Sequence, residues 1–436
     1  MATPKSVRIR SYDVGFGDCF LLTFDYSPTD RRHVLIDFGS FPKPKRKNAG
    51  DMTAIAGHIA QECGKDLRAV VATHRHADHV SGFARKKGGN GSGDIIRSLK
   101  PDLVIQPWTE HPQLDPQAKG LGNFAPADKQ RVAALTDVQG FLRGVVSYAT
   151  AARGWSPALR RELGFLGQNG LGNKSAVENL MTMATAKSGQ KYVRFGSPLG
   201  LSKVLPGVKV TVLGPPTIEQ QTTVEKQRRE DTTEFWHLFA AAAPQPPGAR
   251  GKGPFPARYA LASIPGTARW LKDHADKMLR QQLLAIVRRM DDALNNTSVI
   301  LLFEVGKKKL LFPGDAQIEN WSFALGKKDV QKLLADVDVY KVGHHGSLNA
   351  TPKKSLWAKF KKKGKGPNSL RTFMSTESGH HGTRGKTEVP RGPLVQELEA
   401  RSRLTTTNLK AADRDPKKGK VQRDKTVTWV EETIKV

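Results

Sequence analysis

Six residues, His74-Arg75-His76-Ala77-Asp78-His79, set three imidazoles and a carboxylate directly after Leu67–Ala72, a short apolar run of the kind that buried strands show. Polar chemistry is therefore expected at the carboxyl end of a strand in an α/β fold. In extended backbone, residues i and i+2 point to the same side, so His74 and His76 can grip one cation. Asp78 and His79 stand where the chain turns into a helix and can reach a second cation nearby. Gly82 lets that turn approach its surroundings closely. A lone histidine is ordinarily a packed core or surface residue, whereas three with an aspartate at this spacing point to metal binding.

The rest of the chain alternates sheet and insertion. Val7–Tyr12, Cys19–Phe24 and His33–Asp37 read as a meander broken at Gly15-Phe16-Gly17-Asp18, with Asp13, Asp18 and Asp37 bracing turns beside the site. A helix is expected at Thr53–Glu62 and a strand at Leu103–Gln106. Pro112–Pro126 is too rich in Pro, Gly and polar residues for regular structure, and a helical pattern follows from Ala127 to about Thr185. Val208–Leu213 is a strand, Pro244–Pro256 a low-complexity linker, and Thr267–Leu294 a helix with one apolar face. Sheet then returns: a hairpin of Ser298–Glu304 and Lys309–Phe312, strands at Asp338–Val342, Arg371–Ser375 and Arg403–Thr407, and a helix at Pro393–Ser402.

Two of these later strands end in metal-ligating residues. Asp315 follows Leu310-Leu311-Phe312 and a Pro-Gly turn, where its carboxylate can bridge two cations. His344 and His345 follow Val339–Val342. Adjacent side chains of an extended chain point oppositely, so one of the pair is the direct ligand: His344 is preferred, with His345 facing substrate or taking the ligand place instead. A further loop, Ser375–Arg384 with His380 and His381, follows a strand and can reach the cleft edge.

These segments carry a family resemblance. THRHADHVSGF resembles the HxHxDH signature of the metallo-β-lactamase fold, and DVGFGDCFLLTF with HVLIDFG, NNTSVILLFEVGKKKLLFPGDAQ and VYKVGHHGS follow in that family's order. The wording of DVGxGD, NNxSxxL, PGD and KVGHHGS is most similar to the hydrolase domain of competence-type DNA-uptake proteins, known as ComEC. The resemblance covers about the first hundred residues and Leu294–Thr351. It implies an α/β fold, a metallo-β-lactamase-like αββα sandwich with helical insertions. Its first half is residues 1–111, a mostly helical insertion spans 112–200, a sheet strand lies in 201–218, and a Pro/Gly-rich linker with a helical insertion spans 219–292. The second half is 293–436 with a basic carboxyl-terminal tail. It implies a hydrolase with two divalent ions, zinc or manganese, held by His74, His76, Asp78, His79, Asp315 and His344. Asp78 would help orient the hydroxide that such a pair generates from water, and His345 or a water would protonate the leaving oxygen. Many members place another histidine between the first motif and the bridging aspartate. The corresponding block here, Val210–Pro216, has none, and His111, His237 and His274 are the only other imidazoles between them. Occupancy of both sites is therefore an open expectation.

Charge directs the choice of substrate. Lys+Arg 70 against Asp+Glu 41 gives +29, which favours polyanionic partners such as nucleic acid. The densest basic sites are Lys353–Lys365, with Lys353, Lys354, Lys359, Lys361, Lys362 and Lys363, and the stretch Arg414–Lys425. Trp357 and Phe360 in that run, with Trp155 and Trp321, can either stack on unpaired bases or anchor a core. The expected activity is a metal-dependent phosphodiesterase or nuclease acting on DNA or RNA. The alternatives are hydrolysis of a small ester, lactone or phosphodiester, and a non-catalytic module that binds a protein partner through its insertions. No GxSxG elbow, Walker GxxxxGK[ST] or strand-following GxGxxG offers a competing chemistry. Two cysteines, Cys19 and Cys63, build no disulfide framework. With no apolar run approaching the roughly 18 residues that cross a bilayer, the expected location is the cytoplasm.

Overall fold

A computed structural model describes residues 3–42, 44, 50–112, 173–221, 291–382, 388–408, 421–424 and 427–436. Most of the two insertions, nearly all of the 267–294 helix, Trp155, His237 and His274 lie outside the described residues. β1 (Ser6–Tyr12), β2 (Cys19–Asp25) and β3 (Arg31–Phe38) form the expected antiparallel meander. β4 (Leu67–Val71) and β5 (Leu103–Pro107) then add in parallel to β3. They need a crossover, and α1 (Met52–Cys63) supplies the first one, capped by the Asp51 side chain accepting from Thr53 and Ala54 N–H. β6 (Gln190–Val193) pairs in parallel with β5, although the sequence reading placed these residues inside a helical insertion. Three of its four residues are only half-buried, so it lacks the apolar signature of a central strand.

The second sheet is built from β7 (Val208–Gly214), the hairpin β8 (Ile300–Val305) and β9 (Lys308–Phe312), and then β10 (Val339–Lys341), β11 (Arg371–Met374) and β12 (Arg403–Thr406), which follow β9 in parallel. The chain finally returns to the first sheet. β13 (Gln422–Asp424) and β14 (Val427–Lys435) lie at its edge, β14 antiparallel to β1, giving eight strands against six. The basic stretch Arg414–Lys425 lies mostly outside the described residues, while the strand that follows it belongs to the first half's sheet. That strand's VTWVEETIK carries β-branched residues and a tryptophan suited to a strand.

Alternation along the strands makes two faces per sheet. Phe20, Leu22, Phe24, Ile36 and Val71 meet Leu301, Phe303, Leu310, Phe312 and Phe373 between the sheets. The opposite face of the first sheet, with Leu21, Leu35 and Val70, packs on α1, α3 (Ser92–Ser98) and α4 (Lys174–Met181) through Ile55, Ile59, Ile96 and Leu180. The second sheet's outer face, with Leu302, Leu311 and Tyr340, is covered by α5 (Ile318–Leu325), α6 (Lys328–Ala335) and α7 (Gly392–Arg401) through Trp321, Leu334 and Leu394. The layers run helix, sheet, sheet, helix. Burial of these faces at about 25 cal/mol per Å² of apolar surface is the main favourable term in folding. No helix among the described residues is long and apolar enough to cross a membrane.

β3, β4, β9, β10 and β11 all end at one rim of the sandwich, where Asp37 lies near the end of β3 and the loops after the other four carry His74, Asp315, His344 and Ser375. Ligand sites of parallel sheets form outside the carboxyl ends of strands, because the loops there are free of ladder bonding.

Candidate metal centre

The first motif is held on a sharp strand-to-helix turn. After β4 the chain turns at His76, which stays extended (φ −61°, ψ 151°), and enters the single-turn helix α2 (Ala77–Val80). The turn lies directly on the backbone of β3's end: a Cβ on Gly39 would stand 2.4 Å from Asp78 C and His79 N, so only glycine fits. Gly82 makes a similar approach, its hypothetical Cβ 2.6 Å from Phe38 O. From the second sheet, Gly314 (φ +57°) brings the Pro-Gly-Asp turn against Thr73, where a Cβ would meet the threonine side chain at 2.7 Å. The two halves therefore interlock at the site through glycines.

His74, His76, Asp78, His79, Asp315 and His345 are each at most 3 % exposed. Ligand atoms of Asp78, His79, Asp315 and His345 all lie within 4.8 Å of one another. His79 Nε2 is 3.0 Å and His345 Nε2 is 3.5 Å from Asp315 Oδ2, and His345 Nε2 is 3.2 Å from Asp78 Oδ2. Beside this group, His74 Nε2 and His76 Nδ1 face each other at 3.1 Å. That separation matches two nitrogens sharing one ion, since ligands about 2.0–2.1 Å from a tetrahedral zinc stand roughly 3.3 Å apart.

His344 and His345 do not occupy extended backbone. Both are left-handed (φ 45° and 52°) inside the turn Gly343–Gly346, a conformation rare for residues other than glycine and typical of strained functional sites. The alternation that favoured His344 as the inward residue therefore does not hold. His345 is fully buried among the acids, while His344 has an 18 % exposed side chain whose Nε2 lies 3.7 Å from Asp315 Oδ2.

The outer partners of the imidazoles are in place. His79 Nδ1 lies 2.8 Å from Asp37 Oδ2, and Asp37 also accepts from Thr73 N and Thr73 Oγ1, both at 2.7 Å. Asp37 is itself left-handed (φ 55°), which turns its carboxylate under the motif. His345 Nδ1 lies 2.9 Å from Ser375 O, whose own Oγ donates to Gly17 O at 2.6 Å. His74 Nδ1 lies 3.3 Å from Thr73 Oγ1. Ser298 Oγ accepts from Asp315 N at 3.2 Å, which gives the NNTS block a role in aiming the aspartate. Of the three aspartates expected to brace turns, Asp13 Oδ1 accepts from Gly15 N at 3.3 Å, whereas Asp18 and Asp37 reach the cluster itself.

A residue that the sequence reading passed over completes the electrostatics. Lys341, 2 % exposed, points inward from β10, pairs with Asp18, lies 3.4 Å from Asp315 Oδ1, and donates to Gly314 O at 3.0 Å. A lysine in a strand otherwise apolar, VYKV, is the signal that marks it. Four buried carboxylates, Asp18, Asp37, Asp78 and Asp315, thus share the pocket with the ammonium of Lys341, which pairs with the first and last of them. The imbalance is visible in the imidazoles. Burial opposes charge on His345, but Asp315 and Asp18 outweigh it and raise its pKa to about 10. At His79 burial is likewise overcome, by Asp315, Asp37 and Asp78, and the pKa is raised. His76 and His344 are held neutral, lowered to about 4 chiefly by burial. Burial pushes the Asp315 carboxyl up, yet His79, His345, His344 and Lys341 together hold it well below the usual range. Neutral His74, His76 and His344 stand beside ionised Asp78 and Asp315, and His76 Nε2, His79 Nε2 and Asp315 Oδ2 are buried without a hydrogen bond among the described residues; a divalent cation would displace the protons that the acids hold on His79 and His345.

The other expected residues lie elsewhere. His111 stacks edge-on with Tyr192, ring centroids 4.7 Å apart, and joins neither group. His380 Nε2 pairs with Glu377 Oε2 at 2.9 Å, and Phe16 stands against His345, His380 and His381. In the lysine run, Lys353, Lys354, Lys359 and Lys361 are exposed. Lys362 binds Asp338 Oδ1 at 2.8 Å, and Lys363 donates to the carbonyls of Trp357, Ala358 and Phe360. Those last two ammoniums are half-buried and hold the turn together. Trp357, Phe360 and Trp321 are core anchors at 3 %, 2 % and 0 % exposure, so none presents a face to a base.

Comparison with known proteins agrees with the geometry. Residues 12–87 match the sequence model of the metallo-beta-lactamase superfamily. No curated protein matches the chain. The matched span holds His74, His76, Asp78 and His79, and the surrounding α/β sandwich is of the metallo-β-lactamase type. That superfamily is in general one of metal-dependent hydrolases, and the His/Asp cluster can hold metal.

Proposed function

We propose that the chain is a metal-dependent phosphodiesterase that cleaves DNA or RNA in the cytoplasm, related in its chemistry to the hydrolase domain of ComEC-type DNA-uptake proteins. The observation that carries the hydrolytic part is the convergence of Asp78, His79, Asp315 and His345, buried, from both halves of the chain. In this reading His74 and His76 hold a first cation. Asp78, His79, Asp315 and His345 would hold a second. When bound, such a pair makes water acidic enough to attack near neutral pH and offsets the charge of the oxygens of the attacked group. The protein's part is to fix the ligands. Asp37 holds the His79 ring and Ser375 O holds the His345 ring, each by its remote nitrogen. Lys341 offsets the repulsion between Asp18 and Asp315. His344, neutral and the more exposed of the pair, is the one that would meet substrate.

Charge supports the polyanionic substrate: the chain carries +29 around an acidic pocket, with Lys353, Lys354, Lys359 and Lys361 exposed along one turn. A phosphate backbone held by such residues binds through release of counterions. The test is cleavage of single-stranded DNA, duplex DNA and RNA with Zn²⁺ or Mn²⁺, beside a chromogenic phosphodiester. Nucleic-acid cleavage is expected to weaken steeply between about 50 and 200 mM salt while turnover of the small diester barely changes. Efficient hydrolysis of small esters or lactones with no salt-sensitive nuclease activity contradicts the proposal and leaves a compact substrate in its place.

A further inference from the structure

Three of the inward imidazoles have an identified partner on the nitrogen that faces away from the cluster: Thr73 Oγ1 for His74, Asp37 for His79 and Ser375 O for His345. His76 differs. Its Nδ1 faces His74, and its Nε2, fully buried, makes no well-formed hydrogen bond among the described residues, although the Asn295 side chain lies close enough to interact with the ring. The acidic atom nearest that nitrogen is Asp291 Oδ1, at 3.5 Å. Asp291 lies just ahead of the Asn-Asn turn that leads into β8, with its side chain 14 % exposed, and Asn295 Nδ2 donates to its other oxygen, Oδ2, at 3.3 Å. Asn295 is itself fully buried.

We infer that Asp291 is the positioning residue of the first cation site, accepting the Nε2–H of His76 so that Nδ1 presents its lone pair beside His74 Nε2; this rests on the metal-centre reading above. The chemistry requires such a group. An imidazole that binds a cation through Nδ1 carries its proton on Nε2, and in a dry interior that N–H needs an acceptor. Burial and the neighbouring Asp292, Asp78 and Asp315 push the Asp291 carboxyl up; a cation in the site would offset those acids, and Asp291, then ionised, would also raise the basicity of the bound nitrogen. The site has special need of this, because the block Val210–Pro216 brings no third histidine to His74 and His76. Asn295 then has a purpose beyond the turn: it orients Asp291 as Thr73 orients Asp37. The NNTS segment so serves both sites, Asn295 through Asp291 and Ser298 through Asp315.

The test is titration of the full chain with Zn²⁺ against a competing chelator, together with Co²⁺ absorption spectra, for wild type, Asp291→Ala and Asp291→Asn. Asp291→Ala is expected to weaken one of two bound cations by about 10–100-fold and to leave the other unchanged. Asp291→Asn, whose amide oxygen still accepts from Nε2–H, is expected to recover part of the loss, and it carries the test if the alanine variant fails to fold. At saturation the Co²⁺ spectrum should match wild type, since the ligand set is intact. Unchanged affinity in both variants overturns the inference, as does a changed Co²⁺ spectrum at saturation, which makes Asp291 a ligand. Wild-type protein that binds no divalent cation overturns the metal-centre reading itself, a separate and distinguishable result.

Discussion

The pocket at the sandwich rim and the lysine-rich segment 353–365 are built in opposite ways. In the pocket, four carboxylates and a set of imidazoles are buried together with Lys341, and the rings of His74, His79 and His345 are each aimed by a partner behind them. In the segment, charge lies on the surface while the aromatics between the lysines are buried: Trp357 donates Nε1–H to Glu397 Oε1 at 2.9 Å and packs against Phe360, ring centroids 5.9 Å apart. Burial turns charge into a demand for a specific counter-ion, whereas exposed charge is screened and makes only diffuse, salt-dependent contacts.

The contrast can be broken at either end. The largest effect should come from the pocket. Asp315→Ala removes the carboxylate shared by His79, His344 and His345. It is expected to lower kcat by at least the ~10²–10³-fold that loss of one preorganised electrostatic contact produces. Persisting hydrolysis at the wild-type rate would remove this residue from the active site. Next in size, Trp357→Ala should destabilise the fold by about 3–5 kcal/mol, as truncation of a buried aromatic does, measured by denaturant unfolding. The same variant should leave the salt slope of nucleic-acid binding unaltered; a changed slope would mean that the ring meets bases.

Acid should act on the core through its neutral histidines. His33, far from the cation ligands, lies 3.0 Å from Thr23 Oγ1, and burial together with nearby Arg8 lowers its pKa to about 4. Unfolded imidazoles ionise near 6.5, so between about pH 4 and 6.5 the unfolded chain binds more protons than the folded one, and stability rises with pH across that window. His33→Gln is expected to flatten the rise, and an equal slope in both proteins would refute the assignment. The smallest effect belongs to the surface. Lys354→Ala or Lys361→Ala should each lower the log–log salt slope of binding by about one and weaken all sequences alike. Lys362→Ala should instead affect stability, through Asp338.

The sequence disclosed these regions unequally for physical reasons. HxHxDH is legible because its geometry is local: a strand end and one helical turn suffice to place His74, His76, Asp78 and His79. Asp315 is legible because a Pro-Gly turn after an apolar hairpin fixes where the next side chain goes. The facing of His344 and His345 is not, since it depends on two left-handed residues that only the folded neighbourhood imposes. Lys341 and Asp291 were invisible because their meaning is a long-range pairing, with Asp18 and His76. β6, half-buried at an edge, and β14, which joins the first sheet from the far end of the chain, lack a pattern that names their partners. Within the lysine run, a list of charges does not tell which ammoniums cap carbonyls, as Lys363 does.

Elemental analysis of the purified chain, beside Asp315→Ala, bears most directly on whether strands from both sheets meet around cations. Two equivalents of zinc or manganese per wild-type chain, reduced in the variant, is the predicted result. A wild-type protein that stays metal-free after equilibration with either ion, with its fold intact, would contradict it.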